Sequence, residues 1–245
     1  MTRTFANRII SLPLYLKRTV INGLSFGLFA IRKSLSFSHL MHFKEYTLGP
    51  IQMDEALLLY ALVKTVDPKT IVELGFLTGH SSRNFLKAMS PDARLYSYDI
   101  SDASMRLAAT IKDERFRFLF KSQADFEWSD IDNRLIDLVF FDASHDFHLN
   151  VATFEKVMKC LSERALIIVH DTGAWYGDLK GFHTPQGYFL SKSTDGGYIH
   201  QPDERKFVNY IRANCGGFDQ VHLHSTSKFR HGMTMLQRNV DALPV

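Results

Sequence analysis

A glutamate, two glycines and two serines fall within ten residues, Glu73-Leu-Gly75-Phe-Leu-Thr-Gly79-His-Ser81-Ser82. Two glycines four apart let a backbone turn tightly and come close to a bound molecule. A helix beginning just after them would offer free N–H groups to a carboxylate or another anion. Asp99 stands 24 residues after Gly75 at the end of another apolar run. An acid at such a place can accept hydrogen bonds from ribose hydroxyls, and its simpler alternative is a helix cap. Further on, Asp142 and His145 follow the run IDLVFF, and His170 and Asp171 follow ALIIV. Histidine titrates near neutrality and can take a proton from a hydroxyl. A lone loop histidine is more often structural, but His145 has acids close by.

Chemistry at these places requires elements that bring them together. TIVEL (70–74), RLYSYDI (94–100), FRFLF (116–120), IDLVFF (136–141) and ALIIV (165–169) read as strands. IDLVFF has almost no polar interruption, as central parallel strands require. Helical spacing is expected over 54–66, 81–89, 103–111, 150–161 and 204–214. Two late strands, 219–224 and 233–237, have no helix between them and should pair antiparallel at a sheet edge. The fold class is therefore α/β: a doubly wound, mostly parallel, seven-stranded sheet with a C-terminal antiparallel hairpin. In such sheets ligands bind outside the carboxyl ends of the strands, where strand order reverses. Every residue singled out above lies at such an end.

Composition narrows the function. The chain has 245 residues, 45% hydrophobic and 22% charged, which suits a globular domain and excludes disorder, collagen and coiled coil. Two cysteines, Cys160 and Cys215, cannot build a disulfide framework or a cysteine-rich zinc site, so a reducing, cytoplasmic setting is expected. A net charge of +3 is too small for a nucleic-acid partner. Charge is uneven: residues 1–44 carry seven basic side chains and no acid. This leader is apolar as well, yet its run Val20–Ile31 is well short of the ~20 residues that span a bilayer. It reads as N-terminal helices packing on the domain or across a homodimer, with peripheral membrane contact and a transit peptide as other readings. The catalytic domain is expected over 45–245. Within it, the long aromatic stretch 172–201 (Trp175, Tyr176, Phe182, Tyr188, Phe189, Tyr198) is the expected substrate cover.

The stretch Glu73 to Ser81 resembles the glycine motif of class I S-adenosylmethionine-dependent methyltransferases. Within that superfamily it is most similar to the small-molecule O-methyltransferases of the catechol type and the related family 24 acting on natural products and sugars. A nicotinamide-binding fold would more usually show Gly-x-Gly-x-x-Gly, which is absent. The likeness extends to Ser97-Tyr-Asp99, Ser122-Gln-Ala-Asp125, Asp142-Ala-Ser-His145 and His170-Asp171-Thr172, and so covers about residues 49–240. It implies a Rossmann-like methyltransferase fold, S-adenosylmethionine as cofactor and a hydroxylated small molecule as acceptor. It implies cofactor contacts at Glu73, Gly75, Gly79, Ser81, Asp99, Gln123, Asp125 and Asp142, with Gln123 and Asp125 beside adenine. It implies His145 as general base, with Asp142 beside it. In metal-dependent relatives a divalent cation such as Mg²⁺ sits after the fourth and fifth strands, which points to Asp142, Asp171 and His170. The last departs from the pattern, since imidazole is a poor ligand for Mg²⁺ and a better one for transition metals. The other reading is that Asp142 and Asp171 position the substrate or a histidine. A membrane-associated or non-catalytic protein with the same fold, or another nucleotide-cofactor enzyme, is the alternative function.

Overall fold

The computed structural model describes residues 51, 53–175, 191–192, 198–199, 201–223 and 232–239. The expected leader, residues 1–44, and most of the expected cover segment lie outside them. Helix α1 (Met53–Val66) leads through Asp67, whose φ of 50° turns the chain, into strand β1 (Thr70–Leu74). Then follow α2 (His80–Ala88), β2 (Arg94–Asp99), α3 (Asp102–Ala108), β3 (Phe116–Phe120), β4 (Ile136–Phe141), α4 (Phe147–Val157) and β5 (Leu161–His170). Short strands β6 (Ala174–Trp175), β7 (Ser191–Lys192) and β8 (Tyr198–Ile199) form a small antiparallel sheet of their own. Helix α5 (Pro202–Asn214) and the strands β9 (Phe218–Leu223) and β10 (Met233–Arg238) follow.

The main sheet has seven strands in the order β3-β2-β1-β4-β5-β10-β9. Pairing is parallel from β3 to β5, and β10 runs antiparallel to both β5 and β9. This is the mostly parallel sheet with a terminal hairpin that the sequence patterns predict. Strand order reverses between β1 and β4, so a cleft opens at their carboxyl ends.

The central strands are apolar because both of their faces are covered. All five residues of β1 are buried, and Leu138 to Phe141 of β4 are buried too. Phe140 meets Phe85 of α2 edge-on at 5.6 Å, while Phe141 lies 5.1 Å from Phe207 of α5. These contacts to opposite layers fix the height of β4 and hence of the residues that follow it. Strand β3, at an edge, alternates between partial burial and exposure.

Boundaries moved where a cap acts. Helix α4 starts at Phe147, three residues before the expected Asn150, because the Asp146 carboxylate accepts from the Leu149 N–H at 2.8 Å. That shift puts Asn150 inside the helix, on a buried face.

Candidate active site

The glycine turn after β1 is built by its two glycines. Gly75 has φ 103° and Gly79 φ 72°, both in the region that favours glycine. A Cβ on Gly75 would lie 2.2 Å from the Asp142 carbonyl oxygen, so the β1 and β4 exits touch through this one missing side chain. The turn is pinned from the next strand. Asp99 Oδ2 accepts from Phe76 N at 3.1 Å, Leu77 N at 2.8 Å and Ser104 Oγ at 3.0 Å. Its Oδ1 accepts from Ser101 N at 2.8 Å and retains acceptor capacity toward the cleft. The cap of α3 is Ser101, whose hydroxyl accepts from Ala103 N, while Asp99 organises the turn and lines the cleft.

Glu73 is fully buried under the turn, and Oε2 accepts from the hydroxyls of Ser82 and Ser97. Burial pushes its pKa up to about 7 against those hydrogen bonds. Its place is inside the turn rather than on the cavity lining. Ser81 sits in the first turn of α2 and, with Thr78, Gly75 and Asp142, lines a small recess beside the main cleft. Thr78 Oγ1 is buried there without a hydrogen-bond partner among the described residues.

The main cavity has a volume of about 420 Å³. Gly75, Asp99 and Gln123 line it together with Asp142, His145 and Asp171. Leu77 and Ile100, 51% and 71% exposed, supply apolar surface at its rim. Gln123 is buried, but Asp125 is exposed and stands off the lining. The 3-10 turn Gln123–Asp125 explains this: with three residues per turn, Gln123 and Phe126 share the inward face and Asp125 does not.

The Gln123 amide has its orientation set from a distance. Asn150 Nδ2 donates to two groups that can only accept, Ser144 O and Glu204 Oε2, each at 3.0 Å. Asn150 Oδ1 therefore faces Gln123 and receives its Nε2–H at 2.8 Å. Gln123 Oε1 is left buried and without a hydrogen-bond partner among the described residues. A ligand amino group, such as the exocyclic one of adenine, would satisfy it. Leaving a buried carbonyl unpaired costs about 1–3 kcal/mol, so this is a built acceptor position.

Two histidines interleave four carboxylates. His170 Nδ1 lies 3.0 Å from Asp142 Oδ1 and 3.2 Å from Asp171 Oδ1, and its Nε2 lies 3.2 Å from Glu55 Oε2 of α1. His145 Nε2 lies 3.4 Å from Asp171 Oδ2, and its Nδ1 lies 3.1 Å from Glu204 Oε1 of α5. Asp171 reaches both rings from a backbone with φ 59°. The His170 side chain is only 1% exposed, whereas His145 is 37% exposed and opens onto the cavity.

Charge in this cluster favours protonated rings. Burial works to lower the His145 pKa, but the Glu204 hydrogen bond and the charges of Asp171, Glu204 and Asp142 outweigh it and raise the pKa. For His170 burial again opposes, and Asp142, Asp171 and Glu55 lift its pKa well above the ordinary imidazole value. Burial pushes Glu204 up to about 7 and also raises Asp142.

The three residues expected around a cation, Asp142, His170 and Asp171, do come together, with ligand atoms within 4.8 Å of one another. The donor set itself does not fit one. A ligating imidazole must present a lone pair, and each nitrogen of His170 already faces a carboxylate oxygen. Sequence reasoning missed Glu204, Glu55 and Asn150. Glu204 and Glu55 look like ordinary acids in the first turn of a helix, although Glu204 falls at helical spacing from the apolar Phe207, Val208 and Ile211.

Asp99 gives a direct test of the cofactor side. Asp99→Ala removes an acceptor from Phe76 N and Leu77 N and from any ribose hydroxyl. Hydrogen bonds to charged groups contribute about 1.5–3 kcal/mol, so S-adenosylmethionine affinity should fall roughly 10- to 100-fold. Calorimetric titration checks this, and an unchanged Kd would remove Asp99 from the site.

The strand order and the cleft at its reversal define a class I, Rossmann-like methyltransferase fold. Comparison with known proteins agrees. Residues 72–172 match a family model described as a methyltransferase domain. Glu73 through Asp171 lie within the matched part. The chain is similar to tapetum-specific methyltransferase 1 of Arabidopsis thaliana, with 27% identity over 143 residues, 53% of this chain and 57% of that protein. It thus spans somewhat over half the length of that relative. Among solved structures it is similar to the O-methyltransferase from Bacillus cereus in complex with SAH (TM-score 0.57, 18% identity, covering 86% of this chain and 90% of that one). It is also similar to cofactor-bound Rv0187 from MTB (TM-score 0.58, 14% identity, 84% and 88%). A third is the O-methyltransferase TomG from Streptomyces achromogenes in complex with SAM (TM-score 0.55, 14% identity, 78% and 82%). At these identities the solved structures establish the fold. Among the described residues no helix is long and apolar enough to cross a membrane.

Proposed function

We propose that the protein is an S-adenosylmethionine-dependent O-methyltransferase acting on a hydroxyl of a small molecule. One observation carries this reading: a single cavity is lined by Gly75 and Leu77 of the glycine turn, by Asp99 and Gln123, and by His145. The fold alone would not support it. S-adenosylmethionine, when bound, supplies an electrophilic methyl group on sulfur. Gly75 lets the backbone approach it, Asp99 meets the ribose, Gln123 Oε1 accepts from adenine, and Thr78 and Ser81 face the methionine end.

His145 takes the acceptor's proton. Glu204 holds Nδ1–H, and Nε2, on the cavity lining 3.4 Å from Asp171 Oδ2, is the nitrogen that must give up its proton before it can take the acceptor's. Loss of the acceptor's proton leaves an oxygen nucleophile that the cavity aligns with the methyl group, the main contribution a protein makes to such a transfer. The 172–201 segment leaves β5 at this cleft, and its role in this reading is to cover the acceptor. The test is transfer of labelled methyl from S-adenosylmethionine to a panel of phenols, sugars and other hydroxylated compounds, with amines and thiols alongside. Methylation confined to hydroxyl compounds supports the reading, and methylation of amines or thiols alone overturns it.

The pH dependence has a definite sign. His145 must be neutral to act as base, and its pKa is raised above the usual value near 6.5. Activity should therefore climb with pH through a midpoint above that value. Glu204→Gln removes the charge that stabilises the imidazolium, so the midpoint should move to lower pH by about one unit or more. A kcat/KM profile with the same midpoint in both proteins would mean that Glu204 does not tune His145.

A further inference from the structure

We propose that the centre formed by Asp142, Asp171 and His170 takes no divalent cation, because the His170 ring itself fills the cation's position among the carboxylates. The proposal deepens the function given above and rests on it for its meaning in catalysis, though its test does not require turnover. His170 stands between carboxylates from three elements: Asp142 after β4, Asp171 after β5 and Glu55 on α1. Its Nδ1 is 3.0 Å from Asp142 and its Nε2 is 3.2 Å from Glu55, on opposite sides of the ring. Ionised carboxylates only accept hydrogen bonds, so both nitrogens act as donors and neither offers a lone pair to a metal. Phe140, with its ring centroid 6.0 Å away, backs the imidazole on the sheet.

Three of the four carboxylate oxygens of Asp142 and Asp171 face an imidazole nitrogen. Asp142 Oδ1 meets His170, and Asp171 meets His170 through Oδ1 and His145 through Oδ2. A hard cation such as Mg²⁺ wants oxygen ligands in near-ideal octahedral geometry and keeps several waters. A buried ring in the middle of the set leaves no such shell. With no cation to chelate two neighbouring oxygens, an acceptor would be held by one hydroxyl at His145, so a vicinal diol would gain no advantage.

The experiment is a titration of the full chain, first stripped with a chelator, with Mg²⁺ and with Mn²⁺. It is read by calorimetry and by the shift in Tm, beside the variant His170→Asp. The wild type is expected to show no saturable binding and no change in Tm between chelator and millimolar Mg²⁺. His170→Asp gathers a third carboxylate at the same point and is expected to lose Tm in chelator and recover it with Mg²⁺ or Mn²⁺. Saturable binding of one Mn²⁺ per wild-type chain, weakened about tenfold or more by Asp142→Asn, would overturn the proposal. A folded His170→Asp protein indifferent to both cations would also count against it, since the ring would then not hold a cation's place. If that variant does not fold, the wild-type titration decides alone. Methyl transfer plays no part in either readout, so a failed acceptor screen and a failed metal titration are distinguishable.

Discussion

Replacing His145 by alanine should lower kcat by about 10²–10⁴-fold, the usual contribution of a positioned general base. The same variant should leave S-adenosylmethionine affinity close to that of the wild type. The separation follows from the contacts of each group: Asp99 holds the glycine turn, whereas His145 is tied to Glu204 and Asp171. Its side chain is 37% exposed, so its loss opens no hole in the core. Stability should therefore change little, although Glu204 is buried and loses a partner. Steady-state kinetics with calorimetry separates the two effects. A parallel fall in turnover and affinity would mean that His145 helps to bind the cofactor instead of moving a proton.

Gly75→Ala should be the most damaging single change on the cofactor side. Its φ of 103° is strained for any residue with a side chain, and the new Cβ would meet the Asp142 carbonyl oxygen at 2.2 Å and Ala143 Cα at 2.8 Å. Backbone strain of about 1–3 kcal/mol adds to overpacking of similar size, for a total loss of roughly 2–5 kcal/mol. For a domain of this size each kcal/mol lowers Tm by about 2–4 °C, so a fall on the order of 10 °C is expected. The obstacle is backbone, not a flexible side chain, so the β1 and β4 exits must move apart. That displaces Asp142 and with it the hydrogen bond to His170. Cofactor binding should be lost with the stability. A variant with wild-type Tm and wild-type affinity would show that the two exits are not in contact as described.

The cofactor half of the site was legible because its chemistry is local. Gly75, Gly79 and Asp99 are set by turn geometry and by strand ends, which leave clear marks in the order of residues. Gln123 and Asp125 are both implied by the family resemblance after β3, which does not tell one from the other. Only the three-residue period of a short 3-10 turn separates an inward Gln123 from an outward Asp125. The sheet was legible for a related reason: continuous apolar strands can only be central ones.

The acid–histidine cluster was half legible. Asp142, His145, His170 and Asp171 all sit at predicted strand ends, so their meeting follows from topology. Glu55 stands 18 residues before Glu73 and Glu204 stands 33 after Asp171, and each sits in a first turn where acids ordinarily favour the helix dipole and face water. Their burial depends on how α1 and α5 pack on opposite sides of the cleft. In α5 the helical period does mark it, since Glu204 shares a face with Phe207, Val208 and Ile211. The cation reading suffered from the same gap, since the pattern of ligand types shows where His170 lies but not what its second nitrogen faces.

The most direct test of the account is a calorimetric titration of the folded full chain with S-adenosylmethionine, repeated in the presence of S-adenosylhomocysteine. The site described here predicts saturable binding of one molecule per chain, competed by the product and weakened in Asp99→Ala. A folded sample that binds neither molecule would contradict it, and would turn attention to a non-catalytic protein that keeps the fold.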